Sequence, residues 1–522
     1  MSATDVIRAP AQPADPQTPA RGQRWSWPWL LLGALLLPFT IFQTVIPVAA
    51  WLAPIFLLRF ARTQRARVAI PVIALVGYAA TLISLRGFFL RPPEVFLFAL
   101  GGTLIALPYA ADMMAARRSR GLARTMVFPA VDTAYAFLVT LDQGSVFGSW
   151  GATGYTQVTN LALSQSLSVV GVWGLGFVIM WTAAVVNELW ERRFDLRAAR
   201  AVVGPFAVVL LAVSVFGGAR LAFSAPPDSS VQVAALAPDR ALNAARDASG
   251  VGPGPRTATQ RARATAEHLS PVIDDLFART RAAAGSGAKI VAWSEAAGYV
   301  FKEDEQAFLD RASAVAREER IYLELGTVFI LPTTDGPTNE NRSILIGPDG
   351  DVLWDYDKST TVPGDGNALG SGVLPIVDTP YGRLSVAICF DADFPWLVRQ
   401  AGRADVDILM VPSSDIGPTE AAVHDDMAVA RAIENGVSIL RPTRLGTSLA
   451  TDPLGRILAS ADYFVGDDQT MLATVPTRGV RTAYSFLGDV VAWASVATVA
   501  VGAGVLGLSA LRRKARRRTA RR

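Results

Sequence analysis

Apolar runs of roughly membrane-spanning length constrain this chain more than any other feature. A bilayer core calls for about 20 consecutive apolar residues in a helix. The block from Trp25 to Phe60 is too long for one simple span and contains Pro38 and Pro47, so it reads as two short helices. Further runs follow near 68–87, 94–112, 122–141, 162–187 and 199–223, and a last one covers 486–511. Of the 522 residues, 51% are hydrophobic and only 18% charged, and the mean hydropathy is +0.31, too apolar for an ordinary soluble enzyme. The reading is therefore a membrane α-helical bundle of about eight transmembrane helices that encloses a more polar insertion. Residues 1–24, rich in Pro, Ala and polar groups, are expected to be disordered.

Charge placement orients the bundle. Arg62, Arg65 and Arg67 occupy one connection between spans. Arg117, Arg118, Arg120 and Arg124 occupy a second, and Arg192, Arg193, Arg197 and Arg200 a third. These connections alternate. The intervening ones hold only Arg86 and Arg91, or, over 142–160, no Lys or Arg. Positive charge stays on the cytoplasmic side. Both termini are thus expected inside and residues 224–485 outside, and the basic tail 512–522 reads as a cytoplasmic anchor rather than a nucleic-acid arm. No small-residue cleavage site follows residues 25–50, which argues against a cleaved signal peptide.

Residues 228–478 read as an α/β domain. Val231–Ala237, Ile290–Glu295, Ile321–Ile330, Ser343–Ile346, Asp407–Pro412, Val437–Pro442 and Thr447–Thr451 have strand character. Thr259–Ala284, Glu303–Arg320 and Glu420–Asn435 have helical spacing, and a further helix starts at Pro395. Three apolar runs in this region end on a reactive group, where α/β folds place their chemistry. Lys289–Glu295 delivers a carboxylate, Val352–Lys358 an amine, and the run from Leu384 the sole cysteine, Cys389. One cysteine excludes an internal disulfide framework and a cysteine zinc site. No metal-ligand cluster and no phosphate-binding glycine loop stand out, so no cofactor is expected.

A thiol attacks as thiolate and needs a base. The two histidines, His268 and His424, fall inside amphipathic helices and are assigned no catalytic role. Glu295 is the candidate base. In an apolar pocket its pKa should be raised by desolvation, letting it take the thiol proton and return it to a leaving group. Lys358 is the candidate for holding the thiolate and a tetrahedral oxyanion, with the backbone N–H of Phe390 as second donor.

The flanks of these residues resemble the nitrilase, or carbon–nitrogen hydrolase, superfamily. The matching stretches are Trp293-Ser-Glu295, Asn341–Gly350, Tyr356-Asp-Lys358, Ile388-Cys-Phe-Asp391 with Phe394-Pro395, Ala430–Gly436 and Asp452–Arg456. The resemblance implies an α-β-β-α sandwich and a Glu295–Lys358–Cys389 triad, with Trp293, Asp365 and Asp391 as further site candidates. Joined to the spans, the layout is similar to the family's acyltransferase branch. That implies a phospholipid acyl donor, a diacylglyceryl apolipoprotein acceptor, a membrane-bound monomer and a bacterial plasma-membrane location. Where the family usually carries Glu after the catalytic Lys, this chain has Gly366 beside Asp365. Where it commonly has Glu after the Cys, it has Asp391, and the 411–419 loop lacks aromatic residues. These departures leave a membrane-tethered amidase or nitrilase, or a non-catalytic paralogue, as the alternatives.

Overall fold

The computed structural model describes residues 26–40, 44–87, 92–115, 119–141, 148–360, 362, 366–466 and 469–519; residues 1–24, Asp365 and the last three residues of the tail lie outside these. Six helices among the described residues are long and apolar enough to cross a membrane: Ala66–Ser84, Pro93–Ala115, Leu122–Val139, Leu167–Glu191, Leu196–Ala222 and Val490–Leu508. The two short helices expected in 25–60 are Trp27–Leu36, continued as a 3-10 turn to Thr40, and Pro47–Thr63. The terminal helix runs from Val490 through the span to Thr519, in the basic segment.

Two spans carry internal breaks with local causes. The 94–112 span passes through a 3-10 segment, Leu100–Ile105, around Gly101 and Gly102. The Leu167–Glu191 helix is kinked at Gly171, whose φ of +64° suits a residue without Cβ. The amide freed there, Val172 N–H, donates to the Glu434 carboxylate at 2.8 Å, so the domain after the spans caps the broken helix. At one end of the bundle Arg62 grips Asp112 through two bonds, 2.7 and 2.8 Å. Arg124 reaches Glu188 and Glu191, and Arg192 reaches Glu188. One arginine from each of the three basic connections thus meets the others through shared acids.

Residues 230–476 form two sheets face to face. The first runs in the order Thr470–Pro476, Ser230–Leu236, Ile290–Trp293, Tyr322–Ile330, Asn339–Ile346, Val352–Asp357, with Gly298–Phe301 also paired to Tyr322–Ile330. The second runs Ile457–Asp462, Thr447–Thr451, Ser438–Arg441, Ile408–Met410, Gly382–Val386, Ile376–Thr379. Strand alternation separates two cores. Val233, Ala235, Ile290 and Ala292 face Leu384, Val386, Ile408 and Leu449 between the sheets. Ala234, Leu236, Val291 and Trp293 face outward onto the helices Ser270–Gly285 and Glu305–Glu319. Pro395–Arg403 and Pro418–Asn435 cover the second sheet, completing helix–sheet–sheet–helix layers. The expected helix 259–284 is interrupted by a π-turn, Thr265–Leu269, just before Pro271, which has no amide hydrogen to donate.

The far side of Pro418–Asn435 is also apolar. Val423, Met427, Ala430 and Ile433 pack against Phe137, Val172 and Trp173 of the long helices. Beside them Arg431, fully buried, bonds Glu434 and the Tyr155 hydroxyl from the loop before Leu167. The membrane helices and the sandwich therefore share one packed core.

Candidate active site

Glu295 lies two residues beyond the Ile290–Trp293 strand, where Ala296 adopts a positive φ of 53°. Lys358 follows the Val352–Asp357 strand directly. Its N–H donates to the Asn341 carbonyl at 2.9 Å, which extends the pairing past the last ladder residue. Cys389 follows Gly382–Val386, where Ala387 and Cys389 N–H groups still bond Met410 and Pro412 carbonyls. Cys389 itself has φ +47° and starts a 3-10 turn, Cys389–Asp393. A non-glycine residue held in the left-handed region costs of order 1–3 kcal/mol, and such strain clusters at functional sites. It turns the thiol out of the strand direction and leaves the Phe390 N–H in a helix first turn, where amides lack intrahelical partners.

The structure brings the three side chains together. Lys358 Nζ donates to Glu295 Oε1 at 2.7 Å, and Asn341 Nδ2 donates to the same oxygen at 2.7 Å. The thiol of Cys389 lies close enough to feel the Glu295 and Lys358 charges, and it donates to the Ser414 carbonyl oxygen at 3.9 Å. Burial pushes Glu295 up, as the sequence led us to expect. The Lys358 charge and the bonds from Lys358 and Asn341 outweigh it, so the carboxyl sits below its ordinary value. The expected upward shift is therefore corrected: Glu295 rests ionised. Burial and the Glu295 charge hold the Cys389 thiol well above its usual value, with Lys358 opposing. The resting pair is carboxylate and thiol.

The other candidates separate. Trp293 is wholly buried on the helix side of its sheet, its Nε1 donating to Thr280 Oγ1 at 2.9 Å and its ring 5.0 Å from Phe277. That placement makes it a core residue rather than a substrate contact. Asp391 accepts from the amides of Ile388 (3.1 Å), Ser359 (3.1 Å) and Thr360 (2.8 Å), and from the hydroxyls of Thr360 (2.7 Å) and Tyr356 (2.8 Å). Its oxygens are spent stapling the Cys389 turn to the segment after Lys358, which assigns it to the scaffold instead of to substrate. Gly366 has φ +64°, and a Cβ there would lie 2.7 Å from Thr338 Oγ1, so this backbone disfavours a Glu.

Two groups went unassigned in the sequence reading. Asn341 begins the inward part of its strand and orients the Glu295 carboxylate. His424, given no role above, lies largely buried, with an 11% exposed side chain, between two carboxylates. Nδ1 is 2.6 Å from Asp415 and Nε2 3.4 Å from Asp393. Asp415 is also held at both oxygens by Arg441, 2.8 Å each, and Asp393 receives Trp150 Nε1 at 2.5 Å. Asp393 closes the Cys389 turn and Asp415 follows Ser414, so an imidazolium ties the two sides of the thiol together. His268, by contrast, is partly exposed beside Glu267.

Burial lowers the His424 pKa, but Asp393 and Asp415 raise it more, to about 10. A raised folded-state value means stability that is fully present below the unfolded pKa near 6.5 and is lost as pH rises through about 10. His424→Gln is accordingly expected to cost about 3–5 kcal/mol near pH 6, the usual penalty for unpairing a buried ion. Thermal unfolding of both proteins across pH 6 to 10 checks this: the gap should shrink as pH rises.

The carbon-nitrogen hydrolase family pattern matches residues 255–484. An apolipoprotein N-acyltransferase of Geobacter metallireducens is 27% identical over 428 residues, 76% of each chain. One of Bradyrhizobium diazoefficiens is 28% identical over 385 residues, 67% of each chain. A deaminated glutathione amidase of Dictyostelium discoideum is 27% identical over 181 residues, 30% of this chain and 62% of the amidase.

Proposed function

We propose, from the premise that this chain belongs to the carbon–nitrogen hydrolase superfamily, that it is a membrane-embedded N-acyltransferase of bacterial lipoprotein maturation. It moves an acyl chain from a phospholipid to the N-terminal amine of an S-diacylglyceryl-cysteine, with Cys389 as the carrier. The observation that carries the reading is the convergence of Cys389, Glu295 and Lys358 from the ends of three strands in two facing sheets, in a domain whose core is continuous with apolar helices. Acyltransferases match the chain across those helices as well, whereas the amidase matches only 181 residues of it.

In the first half-reaction Glu295 takes the thiol proton and the sulfur attacks the ester carbonyl of the donor. Lys358 and the Phe390 N–H hold the oxyanion. Collapse expels the glycerol oxygen, which receives the proton from Glu295 and leaves as lysophospholipid. In the second half-reaction the lipoprotein amine attacks the thioester, Glu295 accepts the amine proton, and the sulfur leaves and is reprotonated. One carboxylate serves as base and acid in turn, which suits a group that rests ionised beside a protonated thiol. Both substrates lie at a membrane surface, so spans that hold the sandwich there raise encounter and orientation together.

In the topology we favour, eight spans place both termini in the cytoplasm and residues 224–485 outside. The meeting of Arg62, Arg124 and Arg192 at one bundle end supports it. The test is transfer itself. Purified protein with a phospholipid and a synthetic S-diacylglyceryl lipopeptide should yield N-acylated peptide and lysophospholipid in equal amounts. Free fatty acid in place of acylated peptide would assign the chain to hydrolysis.

A further inference from the structure

Between the long helices lies a cavity of about 440 Å³. Binding pockets commonly run from about 300 to 1,000 Å³. Its wall is mostly apolar, with residues such as Phe98, Ile105, Ala136 and Met180 among a few threonines and tyrosines, and it contains one carboxyl, Asp132. Asp132 lies within the Leu122–Val139 span and makes no hydrogen bond or ion pair among the described residues. An ionisable group inside a span is costly and marks a functional position more often than a structural one.

The cavity has two distinct ends. One is walled by Gly148 and Gly151, in the loop that rests on the Cys389 turn. A Cβ at Gly148 would lie 2.8 Å from Asp393 Cβ, and Ser149 donates its N–H and hydroxyl to the Asp393 carbonyl, at 3.2 and 2.5 Å. The other end holds Asp132, about 12 Å down the helix from Thr140 at 1.5 Å per residue. Below it Tyr109 and Phe128 meet edge to face, 4.9 Å apart, and both are buried. The space is a mostly apolar sleeve that reaches from the loop on the Cys389 turn to the Asp132 carboxyl and Tyr109.

We propose that this sleeve takes the acyl chain carried on Cys389 and that Asp132 sets the chain length accepted. The inference rests on the acyl-transfer reading above. Methylenes gain by entering the apolar wall. A methyl end that reaches Asp132 strips water from a carboxyl without offering it a hydrogen bond, so further length is penalised. Asp132 is a specificity-determining residue and takes no part in bond making.

The test is intact-mass spectrometry of the full-length protein after incubation with an equimolar mixture of phospholipids that differ only in acyl length. The thioester mass reads the chain chosen. Asp132→Leu is expected to favour longer chains, by about fourfold for each added methylene that is buried. Ala136→Phe, which fills the sleeve, should shift the distribution to shorter chains. Asp132→Asn, which keeps a polar floor, should retain the wild-type distribution. Identical distributions in all four proteins, each still forming a thioester, would overturn the inference and leave the acyl-transfer reading standing. Absence of any thioester on wild type would remove that reading, and this inference with it.

Discussion

Cys389→Ala is expected to abolish thioester formation and amine acylation, with a fall of at least about 10⁴-fold, as when the nucleophile of a coupled catalytic set is removed. The chain has no second cysteine to substitute for it. The fold should survive the change. Alanine loses only the sulfur, and the positive φ at 389 costs it no more than it costs cysteine. Bonds from Cys389 N–H to Pro412 and from the Ile388 and Thr360 amides to Asp391 involve no thiol. Thermal unfolding close to wild type, together with lipoproteins that keep free N-termini in cells carrying only this variant, is the combined result that checks the assignment. Normal N-acylation in those cells would refute it.

Glu295→Gln and Lys358→Met should each lower the acylation rate by at least about 10²-fold, through loss of the base and of the oxyanion donor respectively. Each single change also leaves the partner's charge buried without its counter-ion, at a cost of about 3–5 kcal/mol. The double variant should therefore recover much of the lost stability while remaining inactive, an outcome two independent structural residues would not give. The pH behaviour follows from the same pair. Glu295 is depressed below its ordinary value, so its contribution is present above the unfolded carboxylate range and is lost as pH falls through the lower, folded value. The acid limb of acylation in wild type should thus lie below the ordinary Glu range, and in Lys358→Met it should move upward. Rates at several pH values for the wild type and both single variants measure this.

What the sequence made legible was local, and what it hid was assembled from distant parts. The strand ends at Glu295, Lys358 and Cys389 could be read because a largely apolar run stops at each: Ile290–Trp293 and Gly382–Val386 have parallel partners, whereas Val352–Asp357 is a half-exposed edge strand paired antiparallel. The strands Ile457–Asp462 and Thr470–Pro476 were not read. The first is a half-exposed edge, and the second pairs with Ser230–Leu236 from the far end of the domain, so neither shows a strong apolar run. Burial of Glu295 could be foreseen, but the direction of its shift could not. That depended on Asn341 and Lys358 arriving at one oxygen from two other strands. His424 looked like one more residue of an amphipathic helix, because its carboxylate partners sit 9 and 31 positions away in sequence. Trp293 and Asp391 show the converse. Proximity to the triad in sequence drew attention to them, yet strand alternation turns Trp293 to the other core, and five donors occupy Asp391.

In the proposed mechanism Cys389 carries an acyl group taken from a phospholipid. Intact-mass spectrometry of purified protein incubated with one defined phospholipid tests it most directly, with Cys389→Ala alongside. The expected result is a gain of one acyl chain on wild type alone, released by neutral hydroxylamine as a thioester is. An unmodified mass on folded wild type, or the same gain on Cys389→Ala, would contradict it.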